Sequence, residues 1–456
     1  MRVRVTPGGS VQGTTSVPGD KSVAHRWLIL AATARGASTL RGVPPSLDVR
    51  STASCLAALL PKTRPTLDVW ARQDAPRVEP GGSTWNLPRG NTPVSVLEVQ
   101  GEGRGSLVAP DGPLDCGNSG TSMRLLAGVL ASTPVGAVLI GDRSLSRRPM
   151  ERVAEPLRRM GATVETTEGH APLTVRGGDL VGIRFEPEVP SAQLKSAVLL
   201  AGLDAEGPTT VTEPARTRDH MERALLALGA PVVMDGNRVS VSRFQQDGFS
   251  ARVPGDPSSA AFLVVAAALT GSSITLAQVG LNPTRLHYLE VLARMGVRTD
   301  VEILGEELGE PVGILRVGAG ASLRCTTIEA DELPLVIDEV PVLAALAAHA
   351  PGETWFVGAG ELRLKESDRL AALVTGLRGL GGNAGTEGDD LVVPGLGLTG
   401  GAADSGGDHR MAMSFAVASL AADAPCLIGG MEAAEVSFPS FPRVLGDLGA
   451  TLEVVG

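Results

Sequence analysis

One pattern recurs along this chain and narrows what it can fold into: an amphipathic helix, a glycine, then a short strand of alternating residues. It is read in EPLRRMGATVE, whose helix ends at Gly161, in RALLALGAPVV at Gly229 and in EVLARMGVRTDV at Gly296. It returns in TGLRGLGGNAG at Gly381 and RVLGDLGATLEV at Gly449. The intervals are 68, 67, 85 and 68 residues, a spacing that marks an internal repeat. Glycine at that place predicts a helix C-terminal cap, where a positive φ is needed. A sixth copy, ASCLAALLPK near Pro61, stands about 100 residues before Gly161, so its unit carries an insertion. From Asp68 to Thr92 that insertion is polar and rich in Gly and Pro, and it is expected to form a surface excursion.

Ahead of each such helix lies a second, Ala-rich one: HRWLILAATA, MRLLAGVLA, QLKSAVLLAGL, SAAFLVVAAAL, EVPVLAALAAHA and RMAMSFAVASLAA. Apolar on nearly every face, these predict buried inner helices. The chain then reads as six βαβαββ-like units of roughly 67 residues each. The units also pair across the chain, because PGDKSVAHRWLILAA from Pro18 echoes PGDPSSAAFLVVAAA from Pro254 at an offset of 236 residues. Asp20 and Asp256 are placed to cap their inner helices, and Pro257 suits a first helical turn. Three units per half predict an α/β fold of two similar domains.

At 456 residues the chain is too long for one ordinary core, which agrees with two domains. With 3% aromatic residues the cores must be built from aliphatic packing. The opening MRVRVTPGG lacks the apolar stretch of a signal peptide. The longest apolar run, Ala260–Leu269, is about half of what a spanning helix needs, so no membrane partner and a cytoplasmic location are expected. Four cysteines without a CxxC pair support neither a zinc site nor a disulfide framework, and no metal is expected. A formal charge of −10 with no basic run argues against nucleic acid.

Polar motifs collect where the inner helices begin. They are Lys21-Ser22 with Arg26, Asn118-Ser119-Gly120-Thr121 with Arg124, and Ser191-Ala192-Gln193 with Lys195. In the second half they are Asp256-Pro257-Ser258-Ser259, Asp338-Glu339 and Asp408-His409-Arg410. Helix N-termini present unpaired N–H groups and a partial positive charge, and so favour phosphate and carboxylate. Several of them facing one cleft would give an acidic protein a concentrated basic pocket, suited to a small polyanionic substrate. Taken singly, each motif is also compatible with a turn, a cap or surface ion pairing. Asp338 stands apart, because a carboxylate inside LPLVIDEVPVL is costly to bury without a partner.

The segments PGDKSVAHR, LDCGNSGTSMRLLAG, GDRSLSRRPM, PSAQLKSA, VPGDPSSAAF, LNPTR, IDEVPVLA, ELRLKESDR and DHRMAMSF occur together in this order. In that combination, over essentially its whole length, the chain resembles the EPSP synthase family of enolpyruvyl transferases. The resemblance implies an inverse α/β barrel fold of two domains, 19–252 and 1–18 plus 253–456, with crossings near Pro18 and Pro254 and the active site between them. It implies transfer of the enolpyruvyl group of phosphoenolpyruvate to the 5-hydroxyl of shikimate-3-phosphate by addition and elimination, with release of phosphate. No cofactor is implied, and a monomer is favoured. By resemblance the shikimate-3-phosphate site includes Lys21, Ser22, Arg26, Ser191, Gln193, Arg218, Asp338 and Lys365. The phosphoenolpyruvate site includes Lys21, Asn118, Gly120, Thr121, Arg148, Gln193, Arg369 and Arg410. Asp338 is assigned as the base at the 5-hydroxyl, Glu366 as the proton carrier at C3, and Lys21 as an assisting cation.

Four positions depart from the family pattern. Val436 stands where a lysine is common, Ala24 and Ala192 where serine is frequent, and Leu125 where proline is frequent. Val436 leaves one phosphoenolpyruvate contact missing or replaced, Ala24 and Ala192 trim the phosphate contacts, and Leu125 stands next to the phosphoenolpyruvate loop. The substrate class survives all four. A sister family, which transfers enolpyruvate to a UDP-amino sugar, usually carries a reactive cysteine on a mobile loop. Here Cys116 lies inside the LDCGN turn, and GDRSLSRRPM has no cysteine. A noncatalytic phosphometabolite-binding protein is the other alternative, and Asp338, Glu366 and Lys21 argue against it.

Overall fold

The computed structural model describes residues 1–61, 95–320 and 322–455. The insertion expected at 68–92 lies outside these. Helices follow one another in pairs along the chain: α1 (Lys21–Ala32) and α2 (Leu47–Leu59), α3 (Gly120–Ala131) and α4 (Glu151–Met160), α5 (Ala192–Gly202) and α6 (His220–Ala227). Next come α7 (Pro257–Leu269) and α8 (His287–Arg294). A single turn, α9 (Leu333–Val336), precedes α10 (Val340–Ala347) and α11 (Arg369–Gly379), and α12 (His409–Ala418) and α13 (Phe441–Asp447) complete the series. The first helix of each pair is the apolar one. Every residue of α10 and α12 is buried, as is all of α7 except Leu269.

The helix ends follow the local chemistry. Asp20, Ser119, Ser191, Asp256 and Asp408 each accept a hydrogen bond from a backbone N–H in the first turn of the helix that follows. At the other end, Gly161, Gly229, Gly296, Gly381 and Gly449 all have positive φ, from 80° to 114°. The exception is α2, which has no glycine. Its last residue is followed by Leu60 in an extended conformation, the one Pro61 imposes on its neighbour.

Among the described residues, strands form six small mixed sheets. In one, Leu114–Asp115 runs parallel to Gly136–Ile140, which is antiparallel to His170–Arg176, itself antiparallel to Thr163–Thr167. Arg184–Phe185, Thr209–Thr212, Arg238–Val241 and Val232–Asp235 adopt the same order. So do Thr327–Ile328, Glu353–Phe356, Asp390–Pro394 and Gly385–Glu387. Other sheets take a strand from far along the chain: Ser250–Arg252 pairs with Arg35–Arg41, and Gly13–Ser16 with Ile274–Gly280. Arg2–Thr6 lies between Cys426–Gly429 and Thr451–Val454.

The chain divides into two lobes, each with three sheets. One comprises Gly19–Pro254 with Glu306–Glu310, and the other Met1–Pro18, Gly255–Gly305 and Pro311–Gly456. Within the first, the Asp20 N–H donates to the Pro254 carbonyl; within the second, the Asp256 N–H donates to the Pro18 carbonyl. Each lobe has its own aliphatic core around its inner helices.

In the first lobe α3 meets α5 at Gly128. A Cβ added there would stand 2.3 Å from the Ala197 carbonyl oxygen and 2.8 Å from its carbon, both backbone atoms that cannot turn aside. Gly128→Ala should therefore cost at least about 1–3 kcal/mol through overpacking, read as a lower urea midpoint. An unchanged midpoint would mean that the two helices do not approach this closely.

Candidate active site

The starts of the inner helices gather the polar side chains in each lobe. In the first, Lys21 is the opening residue of α1, and its Nζ lies 2.9 Å from Asp48 Oδ2 on α2. Arg26, one turn further, is buried. Its guanidinium donates to Ser196 Oγ at 3.0 and 3.1 Å, to the Ser22 carbonyl at 2.9 Å and to the Ala192 carbonyl at 3.3 Å. Burial lowers its pKa to about 10, with Glu222 opposing and the nearby Arg218 adding to the effect. Arg218 Nη1 donates to Ser22 Oγ at 3.3 Å. Lys21, Ser22, Arg26 and Arg218 are thus brought together.

A second group in this lobe surrounds the N-terminus of α3. Arg148 Nη2 donates to Asn118 Oδ1 at 2.6 Å, and Asn118 Nδ2 to Asp142 Oδ2 at 2.7 Å. Gln193, just inside α5, donates through Nε2 to Thr121 Oγ1 at 2.8 Å and accepts from Arg124 Nη1 at 2.6 Å. Gly120 keeps the loop open between two cations, since a Cβ there would lie 2.7 Å from Arg124 Nη1 and 3.3 Å from Arg148 Nη1. Ser191 caps α5 through the Leu194 N–H.

The second lobe holds Asp338, Lys365, Glu366, Arg369 and Arg410. Arg369, the first residue of α11, is 1% exposed at its side chain and faces three carboxylates. These are Asp408 at 2.8 Å, Glu366 at 2.6 Å and Asp338 at 3.6 Å. Burial alone would lower its pKa, but Asp408 and Glu366 hold it above its ordinary value. Asp408 is held below the usual carboxylate range because Arg369 outweighs its burial. Asp338 occupies the turn between α9 and α10. Its Oδ1 is 3.6 Å from Arg369 and its Oδ2 3.6 Å from Arg410, while its carbonyl accepts from Arg410 Nη1 at 2.6 Å. Lys365 is half-buried, and desolvation lowers its pKa against the pull of Asp338.

Some partners carry no signal in the sequence. Asp48 sits in the unremarked first turn of α2, and Ser196 is one hydroxyl on an apolar helix. Lys195 is buried between Glu213 at 2.6 Å and Glu222 at 2.7 Å. Other residues belong to motifs whose meeting could not be foreseen. Arg285 of LNPTR donates to Asp256 at 3.1 Å and Ser258 at 2.8 Å, and Ser258 donates to Glu339, beside Asp338.

The Arg369 cluster yields a stability prediction. Asp408→Asn leaves a buried guanidinium short of a charge and should cost about 3–5 kcal/mol at neutral pH. Because the Asp408 pKa is depressed, its contribution is present above about pH 4 and lost as pH falls through its lowered value. Wild type and variant should therefore converge in acid unfolding titrations. A gap that stays constant down to about pH 2 would contradict the pairing.

Known proteins resemble the chain over its full length. A sequence model described as EPSP synthase (3-phosphoshikimate 1-carboxyvinyltransferase) matches residues 5–78 and 91–445. The 3-phosphoshikimate 1-carboxyvinyltransferase of Acidithiobacillus ferrooxidans is 44% identical over 455 residues, covering 99% of each chain. That of Methylococcus capsulatus is 46% identical over 454 residues, covering 98% of this chain and 97% of its own. The EPSP synthase structure from Acinetobacter baumannii superposes with a TM-score of 0.83 at 38% identity, with each chain fully covered. With this full-length likeness, the chain belongs to the EPSP synthase family and is a 3-phosphoshikimate 1-carboxyvinyltransferase.

Proposed function

We propose that Asp338, Glu366 and Lys21 carry the chemistry, within binding sites formed by the residues described above. Shikimate-3-phosphate is held by Lys21, Ser22, Arg26, Ser191, Gln193 and Arg218, and also by Asp338 and Lys365. Phosphoenolpyruvate is held by Lys21, Asn118, Gly120, Thr121, Arg148, Gln193, Arg369 and Arg410. Two substrates bring two phosphates and two carboxylates together, and arginine suits both through paired hydrogen bonds.

Asp338 takes the proton of the 5-hydroxyl as that oxygen bonds to C2 of phosphoenolpyruvate, while Glu366 delivers a proton to C3. From the tetrahedral intermediate Glu366 then removes a proton at C3 as phosphate leaves C2, restoring the double bond. Lys21 assists as a cation at the phosphate. The observation that carries this reading is the Asp338 carboxylate, each of whose oxygens stands 3.6 Å from a different arginine. Two arginines fix the orientation of that carboxylate, as a base that must meet one particular hydroxyl requires.

In the same reading the lobes are the family's two similar domains, 19–252 and 1–18 with 253–456, each of three βαβαββ units. The like strand order of the sheets supports this. The enzyme works as a cytoplasmic monomer, without a cofactor.

Two variants test the roles by contrast. Asp338→Asn keeps its shape and hydrogen-bonding capacity but cannot take a proton, so kcat should fall about 10²–10⁴-fold while shikimate-3-phosphate binding changes modestly. Arg26→Ala should mainly raise the KM for shikimate-3-phosphate, since it removes binding shared by ground and transition states. Near-wild-type turnover by Asp338→Asn would transfer the base role to Glu366 or Lys365.

A further inference from the structure

A chain of buried hydroxyls runs from α1 to the N-terminus of α3. His25 Nδ1 lies 2.6 Å from Thr52 Oγ1 on α2, Thr52 Oγ1 lies 2.6 Å from Ser122 Oγ on α3, and Ser122 Oγ donates to Ser119 Oγ at 2.7 Å. All four residues are at most 1% exposed. Burial, with Lys21 and Arg26 nearby, lowers the His25 pKa well below its ordinary value, so the ring is neutral and carries one proton.

Counting protons gives the chain a direction. His25 Nε2 is buried and has no hydrogen-bond partner. A proton there would be an orphaned donor, whereas a bare lone pair costs less. The proton therefore sits on Nδ1 and is given to Thr52. Thr52 has a single proton and gives it to Ser122, which gives its own to Ser119. The competing acceptor for Ser122, the Asp48 carbonyl, is at 3.4 Å and is the weaker choice. Ser119 Oγ already accepts from the Ser122 N–H at 3.1 Å and from the Ser122 hydroxyl. Both its lone pairs are then occupied, and its own proton is left for a further acceptor. Directly beside it stands Gly120, the position flanked by Arg124 and Arg148.

We infer that Ser119 is a further donor to the phosphate of phosphoenolpyruvate, and that His25, through Thr52 and Ser122, is the positioning residue that aims its hydroxyl. This rests on the assignment of the loop beside Gly120 to phosphoenolpyruvate. The chain is a fixed dipole: it presents a proton to an anion without reorganising when the anion arrives.

The test is steady-state kinetics with each substrate varied, with thermal unfolding as the control for folding. Ser119→Ala should raise the KM for phosphoenolpyruvate roughly ten- to a hundredfold, the loss of a hydrogen bond to a charged group, and leave that for shikimate-3-phosphate within about twofold. Thr52→Val keeps the shape, breaks the chain one link earlier and should shift the same constant in the same direction by a smaller factor. His25→Leu should do likewise. His25→Asn, whose Nδ2 takes the place of Nδ1, should recover most of the loss. Equal shifts in both Michaelis constants, or no difference between the Leu and Asn variants, would overturn the inference by reducing the chain to packing. Arg148→Ala separates the two levels. If it raises the phosphoenolpyruvate KM while Ser119→Ala and Thr52→Val do not, the loop assignment stands and the role of Ser119 fails. If none of the three moves it, both fail.

Discussion

A buried cation must be neutralised before its substrate arrives, and this requirement organises both lobes. Arg369 is enclosed by Asp408, Glu366 and Asp338, and Lys21 is paired with Asp48. Unpaired, a buried ammonium or guanidinium would carry a desolvation cost of several kcal/mol. The carboxylates remove that cost, and they also fix where each cation points. In the proposed reading, a substrate phosphate or carboxylate then meets a charge already in position. The acidic net charge of the chain is consistent with this: the basic site is made locally, by partners, and not by an excess of Lys and Arg.

In the proposed reading, the inner helices supply the other half of the site. Their first turns have N–H groups that the helix itself cannot satisfy, and the capping side chain takes only part of that capacity. Lys21, Gly120 and Ala192 open α1, α3 and α5, so the remaining donors lie among the side chains assigned to anions. The packing that brings these starts together needs helices without bulk. Gly128 against Ala197, where α3 meets α5, shows how little space is left. An aliphatic core with few aromatic rings is the compositional trace of that packing.

Features governed by neighbours in sequence were legible before the structure. Asp20 and Asp256 cap where expected, the five glycines have the positive φ that a helix end demands, and the Ala-rich segments are buried. Five of the six motif positions also fell at helix starts as read. Features governed by distant neighbours were not legible. Nothing near Asp48 announces Lys21, and nothing on α5 distinguishes Ser196 from any helical serine. The short α9 turn places Asp338 between two helices, where the apolar run had suggested a helix start. Similarly, LNPTR, PGDPSS and IDE each drew notice, but only the fold joins Arg285, Asp256, Ser258 and Glu339 in one hydrogen-bonded cluster.

The central claim is that these prepared cations serve a reaction in which two anionic substrates must be present together. Phosphate release, followed with each substrate alone and then with both, tests it most directly. The account predicts stoichiometric phosphate only from the mixture, with a product that carries the enolpyruvyl ether on the 5-hydroxyl of shikimate-3-phosphate. Sustained phosphate release from phosphoenolpyruvate alone, or from shikimate-3-phosphate alone, would contradict it.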